Sequence, residues 1–302
     1  MPESVLAESL AQGSFDGVAV TAAGAPLAFT SQAARGANAG QLWDLTAGAA
    51  LGAPIAGFPT DRAEWAFGLP AGSPTVAWTY RDRVHVHDLT TGHEPALDGQ
   101  PDLLGLAVHQ GRAAVVTVFG PANDADVIVW DALTAERLAE YTLWLGHGTA
   151  IDRWLLHATP ATGPLVGLPG DSAVCLLDVE RGEEIAVLVA ADAVLTPSPD
   201  GLVLVYATPT DLCVRGLDGD RTATLETPGP CDRVTASLVD DRLLVAAALP
   251  GQHGTLLAWD AVNPSPSHCV QIPAQANDLA LSPDGTLLAA TDDGLYTARL
   301  CG

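Results

Sequence analysis

The stretch QLWDLTAG, residues 41–48, sets a Trp-Asp pair between an apolar start and a Thr/Gly turn. The pair returns as Trp130-Asp131 in VIVWDALTA and as Trp259-Asp260 in TLLAWDAVN. Weaker copies stand between and after them: VHVHDLTTG with Asp88, VCLLDVERG with Asp178, LCVRGLDG with Gly216 in the Asp position, and GLYTARL with Arg299 there. From Asp44 the successive steps are 44, 43, 47, 38, 44 and 39 residues. Near-regular spacing of about forty residues marks a chain built from one supersecondary unit, repeated.

Each unit reads alike. An alternating strand leads to a tight turn, a second strand, a variable loop, the Trp-Asp strand, and a Thr-Gly turn into a fourth strand. LSPDGTLLAAT (281–291) and PSPDGLVLVYAT (197–208) mark the first hairpin, with Pro and Asp-Gly as turn chemistry before aliphatic runs. Their glycines, Gly201 and Gly285, lie 84 residues apart, which is two repeats and agrees with the Trp-Asp phase. DALTAERLAEYTLWLGH (131–147) has the period of an amphipathic helix. The repeat phase assigns it instead to a Thr turn and an outer strand holding Tyr141 and Leu143.

These Ser-Pro-Asp-Gly hairpins, the LWDLTAG strand and the Gly146-His147 pair ahead of a first strand resemble the WD-repeat β-propeller family. The resemblance covers essentially the whole chain and is that of a degenerate, bacterial-type member, since Leu177, His87 and Arg215 replace the Trp in three copies. It implies an all-β, seven-bladed propeller of four-stranded antiparallel blades in a single domain, residues 1–302. It also implies a structural hydrogen-bond network between a His before the first strand and an Asp seven residues before the Trp-Asp aspartate. His147 with Asp171 matches those places in one repeat, and Asp124 matches the Asp place in another. The last unit has three strands near 277–282, 286–291 and 294–300, and SVLAESLA (4–11) has no other home. It is expected to close the ring as the missing strand of the last blade, with a short helix as the rival reading.

Composition narrows the function. Thirteen basic residues against 36 acidic give a net charge of −23, and every base is an arginine. Such a surface repels nucleic acid and anionic membranes and attracts a basic partner or cations. Without lysine, Schiff-base catalysis and the phosphate-loop lysine are excluded. No apolar run nears the length needed to span a bilayer, and MPESVLAESL lacks a basic start, so a cytoplasmic location is expected. The five cysteines, Cys175, Cys213, Cys231, Cys269 and Cys301, form no C-x-x-C pair and read as reduced, mostly buried thiols. No metal or other cofactor is implied.

Four constellations could carry chemistry. His85 and His87 project to one face of a strand, with His93 beyond the turn; they could bind a metal given a third ligand, yet His87 holds the slot of the packing Trp. Acids recur at the starts of first strands: Asp16, Glu64, Asp102, Asp152, Asp192, Asp232 and Asp278. They read as a carboxylate ring at one mouth of the channel or, more simply, as caps of nearby backbone N–H groups. Three starts read Asp-Arg, at Asp61-Arg62, Asp152-Arg153 and Asp232-Arg233, with Arg81 and Arg83 placed on the same face. Converging arginines would form an anion clamp; otherwise they tie neighbouring blades. Trp65, Trp154, Tyr80 and Trp144 are candidate interface anchors or core.

The first functional reading is a rigid scaffold that binds a protein or peptide, in particular a basic one, on the loop face around the channel, with no chemistry of its own. The alternative is an enzyme or small-molecule binder with an anion-accepting site built from Arg62, Arg153, Arg233, Asp152, Asp232, Trp65 and Trp154. A third is a structural subunit of a larger assembly.

Overall fold

The computed structural model describes residues 2–21, 24–33, 38–60, 64–120, 125–143, 155–159, 163–169, 174–178, 183–188, 192–198, 201–217, 222–250 and 254–301. Two short strands come first, β1 (Glu3–Leu6) and β2 (Glu8–Gln12). Then follow β3 (Ser14–Val20), β4 (Leu27–Ala33), β5 (Ala39–Asp44) and β6 (Ala49–Ala56), and after them β7 (Trp65–Gly68), β8 (Thr75–Tyr80), β9 (Arg83–Asp88) and β10 (Ala96–Asp98). The next sets are β11 (Leu103–His109), β12 (Arg112–Phe119), β13 (Ala125–Asp131), β14 (Arg137–Leu143), and β15 (Leu155–Thr159), β16 (Gly163–Pro169), β17 (Val174–Asp178), β18 (Glu183–Leu188). The chain continues through β19 (Asp192–Ser198), β20 (Gly201–Ala207), β21 (Leu212–Gly216), β22 (Thr222–Leu225), and β23 (Arg233–Val239), β24 (Arg242–Ala248), β25 (Thr255–Asp260), β26 (His268–Gln271). It ends with β27 (Ala276–Leu281), β28 (Thr286–Thr291) and β29 (Gly294–Arg299).

The strands fall into two compact units, one of residues Asp61–Val189 and one of Met1–Thr60 with Ala190–Gly302. The first unit holds three antiparallel sheets, β7–β10, β11–β14 and β15–β18. The second holds β3–β6, β19–β22, the sheet of β27–β29 with β2, and a sheet of β23–β26 with β1. Within each unit the first strands of consecutive sheets lie side by side, β7, β11 and β15 in one and β19, β23, β27 and β3 in the other. Repeated four-stranded antiparallel blades with adjacent inner strands make this an all-β β-propeller fold.

The expected seven four-stranded antiparallel blades are corrected by the strand pairing. The described residues form six such blades, not seven; the remaining sheet is mixed and has five strands. Its fifth strand, β1, runs parallel to β26, with Glu3 opposite His268 and Leu6 opposite Gln271. The N-terminal segment is strand and not helix, but it does not make a single join to the last blade. It divides between two sheets: β1 ends at Leu6, and the N–H of Ala7 still reaches the carbonyl of Gln271 at 3.3 Å. Only β2 then pairs with the last blade, antiparallel to β29. Residues 137–143 form strand β14 against β13, as the repeat phase required and the helical period did not.

The Trp-Asp stamps are parts of the frame. Asp44, Asp88 and Asp131 each use Oδ1 to accept the backbone N–H groups two and three residues on, at 2.8–3.0 Å, which closes the turn into the fourth strand. The indole N–H of Trp43 donates to Thr30 Oγ1 at 3.0 Å and that of Trp130 to Thr117 Oγ1 at 2.8 Å; in both blades the Thr stands 13 residues before the Trp. At Trp259 that place holds Ala246, and the indole instead reaches the carbonyl of Glu226 at 3.2 Å. The sheets bury aliphatic side chains against one another, as where Phe15, Val18, Ala28 and Trp43 pack on Ala280, Leu288 and Leu295.

Neighbouring first strands are also joined by polar bonds. Asp278 Oδ2 accepts the N–H of Val18 at 3.1 Å, and its Oδ1 accepts that of Leu279 at 3.0 Å. Asp192 Oδ2 does the same for Val234 at 2.8 Å. Both carboxylates are buried. Asp278→Ala strands two buried N–H groups and is expected to lower stability by about 2–4 kcal/mol. Asp278→Asn, which keeps one acceptor oxygen, should lose clearly less. Urea unfolding of the two variants measures this, and an alanine variant within about 0.5 kcal/mol of the parent would remove the role assigned to Asp278.

Candidate functional site

The starts of β23, β27 and β3 gather the polar groups that could bind a ligand in the larger unit. Two bulges shape this end. Asp16 and Asn277 are the extra residues where β3 and β27 slip against their partners, so both side chains are turned out of the ladder. Asn277 Nδ2 donates to the carbonyl of Phe15 at 3.0 Å and to Asp292 Oδ1 at 2.8 Å. Arg233 Nε donates to the carbonyl of Asn277 at 2.9 Å, and its Nη1 to the carbonyl and Oδ1 of Asp232 at 3.0 and 3.3 Å. Gln275 Nε2 reaches the other oxygen of Asp232 at 3.4 Å. The result is a chain of polar contacts running from β23 through β27 to β3.

Among the sequence-derived candidates, then, Asp232 and Arg233 meet as a half-buried ion pair whose guanidinium also holds the backbone of the next strand. Trp65 is 0% exposed at the start of β7, opposite Trp78, and presents no ring face to solvent. Arg62, Asp152, Arg153 and Trp154 lie outside the described residues, as do Asp61, Trp144, His147, Asp124 and Asp171. Of the recurrent acids, Asp192 and Asp278 hold adjacent strands together, and Asp102 Oδ2 accepts the N–H of Gly120 at 2.8 Å at the end of its own hairpin. The sequence missed Asn277, Gln275 and Asp292. An Asn beside the recurrent acid was the available signal for the first of these.

Asp16 differs from its counterparts. Burial pushes its carboxyl above the usual range, and the nearby charge of Asp292 adds to the effect, against a backbone hydrogen bond at Ala33. Its Oδ2 is buried and has no hydrogen-bond partner among the described residues.

The histidines form a second cluster. His85 stacks on Trp78 with ring centroids 5.2 Å apart at 16°, and Tyr80 tilts against it at 6.1 Å beneath the guanidinium of Arg81. Nδ1 of His85 and of His87 lie 3.5 and 3.8 Å from the two oxygens of Glu94. Among the described residues, no group of three or more His, Cys, Asp or Glu side chains is placed to hold a metal ion. Cys213 and Cys231 are buried, Cys269 and Cys301 half-buried, and none of these four is in a disulfide. Burial alone pushes the Cys231 thiol up to about 11, so it is a packing group and not a nucleophile.

A third feature lies between the β7–β10 and β11–β14 blades. A partly enclosed cavity of about 130 Å3 is lined by Ser73, Val86, Asp88, His93, Ala132 and Leu133, among others. His93 Nε2 donates to the carbonyl of Leu133 at 2.9 Å across its rim.

No protein-family model and no curated protein matches the chain. Its fold is nevertheless shared widely, with 762 matching chains among solved structures. One, titled Kuenenia stuttgartiensis Hydrazine Synthase, superposes with a TM-score of 0.66 over 96% of this chain and 96% of that chain, at 13% identity. The likeness is one of fold. No helix among the described residues is long and apolar enough to cross a membrane.

A carboxyl whose native pKa lies above its unfolded value weakens the fold once pH passes the native value, and has no such effect below the unfolded one. Asp16→Asn is therefore expected to raise the thermal unfolding midpoint at pH 7, with the gain vanishing near pH 3, about where the parent carboxyl is protonated in both states. Scanning calorimetry across that range checks it. A variant equally or less stable at pH 7 would overturn the reading.

Proposed function

We propose that this chain is a cytoplasmic, bacterial WD-repeat-type scaffold that binds a basic protein or peptide and performs no chemistry of its own. The observation that carries the reading is the commitment of its polar side chains to the frame. Asp192, Asp278, Asn277 and Arg233 are each engaged in bonds between neighbouring strands. A row of first strands tied in this way offers a stiff loop face, and a stiff face binds with little loss of conformational entropy. The net charge of −23 with no lysine favours a partner rich in arginine or lysine and speeds its approach. Asp232 and Arg233 stand at the edge of that face, and Arg62, Arg153 and Trp154 belong to corresponding places in the repeat.

The test is a peptide array of graded net charge probed with the purified full chain. Retained peptides should be basic and should be released as ionic strength rises from about 50 mM to about 300 mM. Retention of acidic or neutral peptides with no salt dependence would overturn the reading, as would a metabolite that co-purifies and is turned over.

A further inference from the structure

In the repeat, the Asp of each stamp has a cross-strand neighbour that the register locates. Asp131 pairs with Ala114 and Asp260 with Leu244, and in both blades the residue two positions earlier opens the second strand. That residue is Arg112 in one and Arg242 in the other. Arg112 Nε lies 3.3 Å from Asp131 Oδ2, and Arg242 Nη1 lies 3.9 Å from Asp260 Oδ2. The last blade keeps the pair with its charges exchanged. Arg299 holds the Asp place, Thr286 is opposite it, and Asp284, two positions earlier, lies 4.0 Å from the guanidinium.

The β3–β6 and β15–β18 blades do not keep this arginine, since Asp44 pairs with Leu27 and Asp178 with Leu165, which puts Ala25 and Gly163 in its place, and neither does the β7–β10 blade. Asp88 pairs with Thr75, so the arginine's place falls to Ser73. Its hydroxyl donates to Asp88 Oδ1 at 2.9 Å but brings no charge, and no cation pairs with Asp88 among the described residues. Asp88 is nonetheless only 8% exposed. Burial pushes its carboxyl up, but the amides of Thr91 and Thr90 and the hydroxyls of Ser73 and Thr91 outweigh this and hold it below the usual range. It is therefore a buried carboxylate, and it lines the 130 Å3 cavity that opens where the arginine is missing. That volume is well above the roughly 10–15 Å3 that a single water needs on the same measure, and it suits the carbon and three nitrogens of a guanidinium. Beside the polar Thr75 and His93, the walls Val86, Ala113, Ala132 and Pro70 are apolar and fit the methylene stem of a long cationic side chain. Leu133, 52% exposed, forms an apolar rim for the chain that carries it.

We infer that this cavity receives an arginine side chain from a partner polypeptide, which supplies in trans the guanidinium that Arg112 and Arg242 supply in cis in their own blades. The inference specifies the basic partner proposed above and so rests on that reading, but its test does not require the partner to be known. The probe is the peptide acetyl-Gly-Arg-Gly-amide, titrated into the isotope-labelled full chain and followed by NMR. Amide signals of Thr90, Thr91 and Leu133 should shift saturably. The same peptide with citrulline, which keeps the shape and loses the charge, should bind about tenfold more weakly or worse. Asp88→Asn can still accept the turn N–H groups and should lose arginine binding with the fold intact. Ser73→Arg places the chain's own guanidinium in the cavity, as two of its sister blades do, and should abolish binding without loss of stability. Equal binding of the citrulline peptide, undiminished binding by folded Ser73→Arg, or no saturable shift at all would overturn the inference. The array experiment separates these results from the wider reading, because basic peptides could still be retained when the cavity is closed.

Discussion

The carboxylate of Asp278 on the N–H of Val18 expresses the constraint on which the larger unit depends. Neighbouring blades meet through their first strands, and among the described residues no ladder runs from one blade to the next. The N–H groups that face a neighbour must still be satisfied, since a buried orphan is expensive. A carboxylate at the start of one strand, reaching the next strand two residues past that strand's own acid, solves this with a single residue per junction. Asp192 repeats the solution at Val234. Where the acid does not serve, as at Asp232, the neighbouring Arg233 makes the crossing to the carbonyl of Asn277. Such bonds set the relative position of adjacent strands to hydrogen-bond tolerance, which apolar packing alone does not.

The same side chains are the ones that looked most like a binding site. A ring of acids and a set of Asp-Arg pairs suggest cations or anions when read as residue types. In place, Asp102, Asp192, Asp232, Arg233 and Asp278 already have partners inside the fold, those of Asp192 and Asp278 in buried positions. The stamp Asp shows the converse. At Asp44, Asp88 and Asp131 its first oxygen does the same work, closing the turn, while its second oxygen meets Arg112 at Asp131, Arg242 at Asp260 and, among the described residues, no cation at Asp88. A repeat tolerates variation only where the frame does not need the residue. Variation at that position is thus a better guide to function than the constant atoms around it.

Much of the frame was legible in the sequence because the repeat speaks for it several times. Trp43, Trp130 and Trp259 set the phase, and the phase placed β14 correctly against a helical pattern that no neighbouring unit supported. The Thr 13 residues before two of the Trp residues was visible too, though nothing in residue type alone says that an indole will find it. The mixed sheet was not legible. SVLAESLA alternates well enough to be a strand, but alternation does not name a partner, and no Gly or Pro announces the break at Ala7 between the halves that join two sheets. The Asp88 cavity escaped for another reason: it is defined by what Ser73 lacks, and an absence shows only after β8 and β9 are in register.

Net charge and buried charge then divide the work of recognition between them. The excess of acids acts at long range, draws any cationic partner, and is screened within about 10 Å at ordinary salt. It cannot tell one basic partner from another. Discrimination needs a charge held where water is scarce, so that a correctly placed guanidinium gains much more there than at the surface and a neutral side chain gains nothing. Arg112 and Arg242 reach the stamp carboxylates of their own blades from half-exposed positions. The blade that carries Ser73 keeps the carboxylate, keeps it ionised, and leaves the guanidinium out. A site that keeps a buried carboxylate ionised beside an open cavity is built to be completed from outside.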